Sequence, residues 1–212
     1  MDAAFILESS RKISRVEFDK LKDFLSTALD NFDVSDNPED SLRGDRVAVV
    51  SHAPREFIPK RKGSPVKIEF DFVKYATKGR MKRHIQESVQ QLNGEAAVGH
   101  ALQWTIDNIF SKAPNQRKYK AIFIISTGVT SQWDKEMLSD ASLRAKCQGY
   151  ALFVLSIGQE YDDFELRELA SIPLEHHLIQ LGRIHKAEFR YAENFLKPLI
   201  LFLKSKYLHY RV

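Results

Sequence analysis

Glu8-Ser9-Ser10-Arg11-Lys12 follows directly on the apolar run from Ala3 to Leu7. A carboxylate and hydroxyls at the tip of a buried strand raise the chemistry of a cation site, because hard divalent cations take oxygen ligands. Other residues invite a functional reading beside a plain one. Arg43-Gly44-Asp45 is the tripeptide that integrins recognise at an exposed loop tip, but here it abuts a strand. The plain alternative is a turn at Gly44, with Asp45 and Arg46 flanking the strand's start. Two basic stretches, 59–67 (Lys60, Arg61, Lys62) and 78–83 (Lys78, Arg80, Lys82, Arg83), are close in sequence. Joined by the intervening strand into one patch, they would attract glycosaminoglycans or an acidic partner by long-range electrostatics. A solvated loop and helix start is the alternative.

The remaining candidates read as structural. His176 and His177 are adjacent, so in an extended segment they face opposite sides and do not share a metal. Cys147 closes a helical pattern before Gly149 and is expected to be half-buried, the alternative being a link to another chain. Trp104 and Trp133 are expected to pack rather than to cage a ligand. No nucleophile stands beside a His and an orienting acid, so the sequence carries no local signature of a hydrolase. No catalytic residue and no cofactor is assigned.

The elements that position these residues follow from hydrophobic periodicity. Residues 3–7, 46–51, 121–125 and 150–158 are continuous apolar runs suited to strands covered on both faces, as in a parallel sheet. Residues 66–73 alternate, with Val66, Ile68, Phe70 and Phe72 apolar, which predicts an edge strand antiparallel to 46–51. Val16, Phe18, Leu21, Phe24, Leu25, Ala28, Leu29 and Phe32 form one helical stripe, with Ser14 and Glu17 spaced as a capping box. Further helices are expected over 80–91, 96–111, 134–147, 162–170 and 185–207, the last kinked at Pro198. Alternating strands and helices imply a doubly wound α/β sheet with ligands at the carboxyl ends of its strands. Neither a dinucleotide glycine fingerprint nor a phosphate-binding loop is present.

The chain has 212 residues, 43% hydrophobic and 28% charged, ordinary for one globular domain, taken as 1–212. A formal charge of +4 does not argue for nucleic acid. No apolar run approaches the roughly 20 residues of a membrane span, so no membrane insertion is expected. A single cysteine excludes an internal disulfide and any multi-cysteine metal site. Met1 leads at once into Asp2 and a strand, without a secretory leader, which fits either a cytosolic protein or an excised domain.

In order and spacing, the acidic-Ser-Ser turn after the first strand, "RVAVVSH", "EFDFVKY", "LNGEAAVGHAL", "AIFIISTG" and "GYALFVLSIG" together resemble a von Willebrand factor type A domain. Those of collagen type VI alpha chains are the most similar, with "FILESS" and "QLNGEAAVGHALQW" carrying that likeness. The resemblance implies a mostly parallel six-stranded sheet with one antiparallel edge strand and helices on both faces. It also implies a secreted, extracellular, non-catalytic adhesion module, binding matrix proteins and neighbouring domains of its own assembly. Family members commonly hold Mg²⁺ or Mn²⁺ in a metal-ion-dependent adhesion site. Carried over, that site falls on Glu8, Ser10, Lys12, Ala96 and Thr127. Only Ser10 is unchanged: Glu8 replaces Asp, Lys12 replaces Ser, Ala96 replaces Thr, and Thr127 replaces Asp. The resemblance therefore implies a degenerate site without tight metal binding, and spacing alone suggests that Lys12 pairs with Glu8. A cation-dependent domain using Glu8 and Ser10, or an unrecognised intracellular enzyme, remain as alternatives.

Overall fold

Apolar runs that need cover on both faces build this molecule around a sheet. The computed structural model describes residues 1–59, 61, 63–157, 160–181, 194, 196, 197, 200 and 201. The strands are β1 (Asp2–Glu8), β2 (Arg46–His52), β3 (Val66–Phe70), β4 (Lys120–Ser126), β5 (Ala151–Ser156) and β6 (Leu178–Gln180). They lie in the order β3-β2-β1-β4-β5-β6 in one six-stranded sheet. β3 pairs antiparallel with β2, and the other neighbours are parallel. The helices are α1 (Arg15–Ala28), α2 (Lys78–Ser88), α3 (Val98–Thr105), α4 (Lys135–Cys147), α5 (Asp163–Leu169) and the single turn α6 (Leu174–His177). A π turn, Ile106–Phe110, extends α3. The helix expected over 185–207, with its kink at Pro198, lies almost wholly outside the described residues.

Alternate residues of each buried strand serve opposite faces. Ala3, Phe5 and Leu7 join Phe18, Leu21 and Leu25 of α1 and Met81 and Ile85 of α2. Ala4 and Ile6 meet Ala101 and Leu102 of α3, Leu138 of α4 and Leu166 of α5. In-register rings on neighbouring strands stack, Phe5 on Phe123 at 4.8 Å and Phe123 on Phe153 at 5.0 Å. That separation matches the spacing of hydrogen-bonded strands. The capping box at the start of α1 is formed in both directions between Ser14 and Glu17.

β3 departs from its sequence pattern. A bulge between Val49 and Val50 shifts the pairing register, so Ile68 is exposed and Glu69 is buried. The Glu69 carboxylate accepts from Ser51 Oγ at 2.9 Å and Lys67 Nζ at 3.1 Å. A one-residue change of register exchanges the two faces of a strand, which is why strict alternation fails here.

β1 feeds β2 on one side, and the chain later returns to place β4 on the other. The crevice between the carboxyl ends of β1 and β4 is thus the topological switch point, where doubly wound sheets collect their polar groups. It positions Glu8 beside Ser126 and Thr127.

Candidate functional site

Glu8 ends β1 and is fully buried. Its carboxylate accepts hydrogen bonds from Ser10 Oγ at 2.5 Å, Ser126 Oγ at 2.9 Å, Thr127 N at 2.7 Å and Thr127 Oγ1 at 3.1 Å. Three hydroxyls and one backbone amide thus converge on one anion, drawn from the turn after β1, the last residue of β4 and the turn that follows it. A buried carboxylate held this way is satisfied without a cationic partner.

Lys12 does not pair with Glu8. Its Nζ donates to the carbonyl of Val129 at 2.9 Å while its backbone N–H donates to Ser10 Oγ at 3.2 Å. The side chain is exposed, and reaching Glu8 would bury a solvated ammonium where the hydroxyls already suffice. Lys12→Ala is therefore expected to change stability by less than about 0.5 kcal/mol in a urea titration, as at other exposed sites. A loss of several times that would restore the pairing. Ala96 is buried, and its carbonyl accepts from Ser131 N at 2.9 Å and Thr130 Oγ1 at 3.3 Å. Glu8, Ser10 and Thr127 meet in one contact set, with Lys12 and Ala96 at its rim.

Three neighbours escaped sequence reasoning. His52 is the register partner of Glu8 across the β1–β2 pair and fully buried, and neither ring nitrogen has a partner among the described residues. Burial holds its pKa below the ordinary histidine value, against the pull of Glu8 and Asp134, so the ring is neutral. Asp134, also fully buried, caps α3 rather than its own helix. It accepts from Gly99 N at 2.7 Å, His100 N at 3.0 Å and Thr130 Oγ1 at 2.6 Å. Glu165, 3% exposed, accepts from Thr130 N at 2.8 Å through Oε1, while Oε2 has no partner among the described residues. Burial is the main cause that pushes its carboxyl up to about 7. The only sequence signal for these residues was a polar type at a strand end or helix start.

The other candidates fall elsewhere. Asp45 is 5% exposed and accepts from Asp33 N at 2.8 Å and Met1 N at 3.0 Å, while Arg43 is exposed. Gly44 adopts φ +75°, and a Cβ there would meet Ser35 Cα at 2.8 Å, so the tripeptide builds the turn into β2. The two basic stretches flank β3 in sequence. Lys78 and Lys82 are drawn to Asp30 after α1, the ion pair Lys82–Asp30 measuring 2.6 Å. Arg61, Arg80 and Arg83 are exposed, and Lys60 and Lys62 lie outside the described residues. His176 and His177 sit in the helical turn α6, not an extended segment, and the His177 ring stacks on Phe153 at 4.6 Å. Cys147 is exposed rather than half-buried, because the last turn of α4 turns it away from the sheet. Trp104 packs against the core. Trp133 meets Phe57 and His100.

Among the described residues, no helix is long and apolar enough to cross a membrane. No group of three or more His, Cys, Asp or Glu there is arranged to hold a metal ion.

The sequence profile of the von Willebrand factor type A domain matches residues 2–189. The chain is 55% identical over 200 residues to human collagen alpha-6(VI) chain, covering 94% of this chain and 9% of that one. It is 50% identical over 200 residues to human collagen alpha-5(VI) chain, covering 94% and 8%. Less than a tenth of each relative is therefore spanned. The structure of proximal thread matrix protein 1 from the mussel byssus, with a zinc occupied MIDAS motif, superposes with a TM-score of 0.73 at 21% identity, over 94% of this chain and 46% of that one. At that identity the likeness is one of fold.

Proposed function

The chain belongs to the von Willebrand factor type A domain family, and on that premise we propose that it is a non-catalytic interaction module of a secreted, collagen VI-like extracellular matrix protein that binds its partners without a divalent cation. The coarser part, an adhesion-type domain shared with matrix proteins, follows from the family and its relatives. The finer part rests on the Glu8 carboxylate, which already takes four donor groups from Ser10, Ser126 and Thr127.

The residues present do not fit a hard octahedral cation. Ala96 brings no side-chain oxygen, Thr127 no carboxylate, and Lys12 a fixed positive charge at the rim. Of the five carried-over positions only Glu8 brings a carboxylate to offset the dehydration of an ion that gives up water reluctantly. Partners accordingly engage surfaces other than a metal-bridged carboxylate, and they include matrix proteins and neighbouring domains of the same assembly.

Thermal unfolding in EDTA and then in millimolar Mg²⁺ or Mn²⁺ tests the cation claim. The midpoint is expected to stay unchanged, whereas an ion at a hundred times its dissociation constant would add about 2.7 kcal/mol, roughly 5–10 °C for a chain of this size. A saturable rise would restore a cation-dependent mechanism through Glu8 and Ser10. Retention of the domain on decellularised connective-tissue matrix in EDTA tests the interaction claim. Failure to bind there would remove it.

A further inference from the structure

We propose that the groove between the β2–β3 loop and the turn at Gln132–Asp134 docks an extended, acidic peptide segment carrying an aromatic side chain. This rests on the reading as a protein-interaction module and names the chemistry of its partner. The groove is an open depression of about 830 Å³, and its lining includes Arg11, Arg55, Phe57, Ile58, Glu95 and Trp133. That volume is in the range of sites that hold several side-chain-sized groups.

Two rings of the lining, Phe57 and Trp133, form its aromatic corner, with His100 packed against both. Phe57 lies 6.0 Å from Trp133 and 5.5 Å from His100, and His100 lies 5.5 Å from Trp133. Trp133 is 39% exposed and Ile58 is 48% exposed, so apolar surface faces solvent beside the corner. Tilted rings with an open edge are suited to receive another aromatic side chain. His100 is held from below, its Nδ1 2.5 Å from Asp134 Oδ1.

The base of the groove is pinned by backbone. Gly94 N donates to Ala53 O at 2.8 Å, Asn93 N to Ser9 O at 2.7 Å and Arg11 N to Gly94 O at 3.2 Å. A Cβ at Gly94 would meet Ala53 O at 2.4 Å, so the loops touch where only glycine fits. A site shaped before binding loses less ordering entropy when a partner arrives.

Charge selects the occupant. Arg11 and Arg55 are exposed in the lining together with Glu95, and Glu56, next to Arg55 in the chain, is exposed as well. Arg11 Nη2 donates to Glu95 Oε1 at 2.8 Å, leaving the balance of the lining on the cationic side. Carboxylates of a partner would meet Arg55 directly and compete with Glu95 for Arg11, a charge-assisted exchange. A uniformly sulfated polysaccharide would instead have to pass Glu56 and Glu95, which disfavours it against a peptide of mixed character.

The test is fluorescence anisotropy of a fluorescein-labelled peptide, Gly-Glu-Phe-Glu-Gly-Glu-Phe-Glu, beside its Gln-for-Glu and Ala-for-Phe counterparts and a heparin decasaccharide. The acidic aromatic peptide is expected to bind, more weakly as salt shortens the screening length. Both counterparts should lose about tenfold or more, as should the variants Arg11→Glu/Arg55→Glu and Trp133→Ala. Arg80→Glu on α2 should bind as the parent does, and unchanged thermal midpoints would show that the groove variants are folded. Absent binding of the acidic peptide, equal binding of the Gln peptide, indifference to the Arg variants, or preference for the heparin fragment would each overturn the groove. Should those variants still be retained on matrix in EDTA, the interaction module would stand and its surface would lie elsewhere.

Discussion

Asp2→Ala is expected to lower the unfolding free energy by about 3–5 kcal/mol, the range for removing one partner of a buried ion pair. Among the described residues Arg46 is the largest fully buried side chain, and Asp2 opposite it is equally buried. Arg46 Nε donates to Asp2 Oδ1 and Nη2 to Asp2 Oδ2, each at 2.8 Å. The remaining guanidinium donors reach Pro38 O at 3.1 Å, Pro114 O at 2.6 Å and Asn115 O at 3.4 Å. All five N–H groups of an arginine are thereby used. Asp2 Oδ2 also accepts from Arg117 N at 3.1 Å, so one carboxylate ties β1 and β2 to the loop before β4. Without it, a guanidinium at zero exposure keeps its charge, because arginine cannot shed its proton in a protein. With a urea slope of about 2 kcal/mol per molar, the midpoint should fall by roughly 1.5–2.5 M. Asp2→Leu combined with Arg46→Met should recover most of that loss, since a packed apolar pair of similar volume avoids the uncompensated charge. A single variant within 1 kcal/mol of the parent, or a double variant no better than the single, would refute the argument.

That pair marks a boundary of what the sequence discloses. Asp2 and Arg46 are 44 residues apart and look like ordinary polar ends of two strands. Nothing local says that they face each other. Residues 3–7, 46–51 and 121–125 were legible because an unbroken apolar run leaves no face for water, and the capping box at Ser14 was legible because its two members are three residues apart. β6 carried no comparable run and entered only through the family resemblance. The switch-point residues Glu8, Ser10 and Thr127 were named by resemblance, but their hydrogen bonds were not. Sequence reasoning gave Glu8 a lysine where the fold supplies hydroxyls, because spacing along a turn does not report where a flexible side chain ends. Asp134 was read within its own helix, yet its carboxylate serves the amides of α3 some 35 residues earlier. Phe57 drew no notice in a loop rich in proline and basic residues, since its ring partners come from α3 and the turn before α4. The common cause is that strand and helix periods are local, whereas polar satisfaction inside a core is settled between segments distant in sequence.

The pH dependence of stability should carry the signature of Glu165. In the unfolded chain its carboxyl titrates near 4.5, and in the fold it is pushed up to about 7, chiefly by burial. Asp162 and Asp134 push in the same direction, while the Thr130 N–H and Lys135 pull back. The folded state therefore holds a proton that the unfolded state has released, so this group's contribution is full below pH 4.5 and declines as pH rises through about 7. The difference of roughly 2.5 pH units corresponds to at most about 3 kcal/mol. His52 and His177, both held below the ordinary value by burial, act oppositely, costing stability as the pH falls below 6.5. The whole-protein curve thus mixes signs, and the informative quantity is the difference between the parent and Glu165→Gln. A neutral amide keeps an acceptor for Thr130 N and removes the titration, so any cost of its own shifts the difference without tilting it. Urea unfolding at a series of pH values should show the variant gaining on the parent between pH 4.5 and about 7, and level beyond. A difference that stays flat over that window would mean that Glu165 ionises in the fold as it does in water.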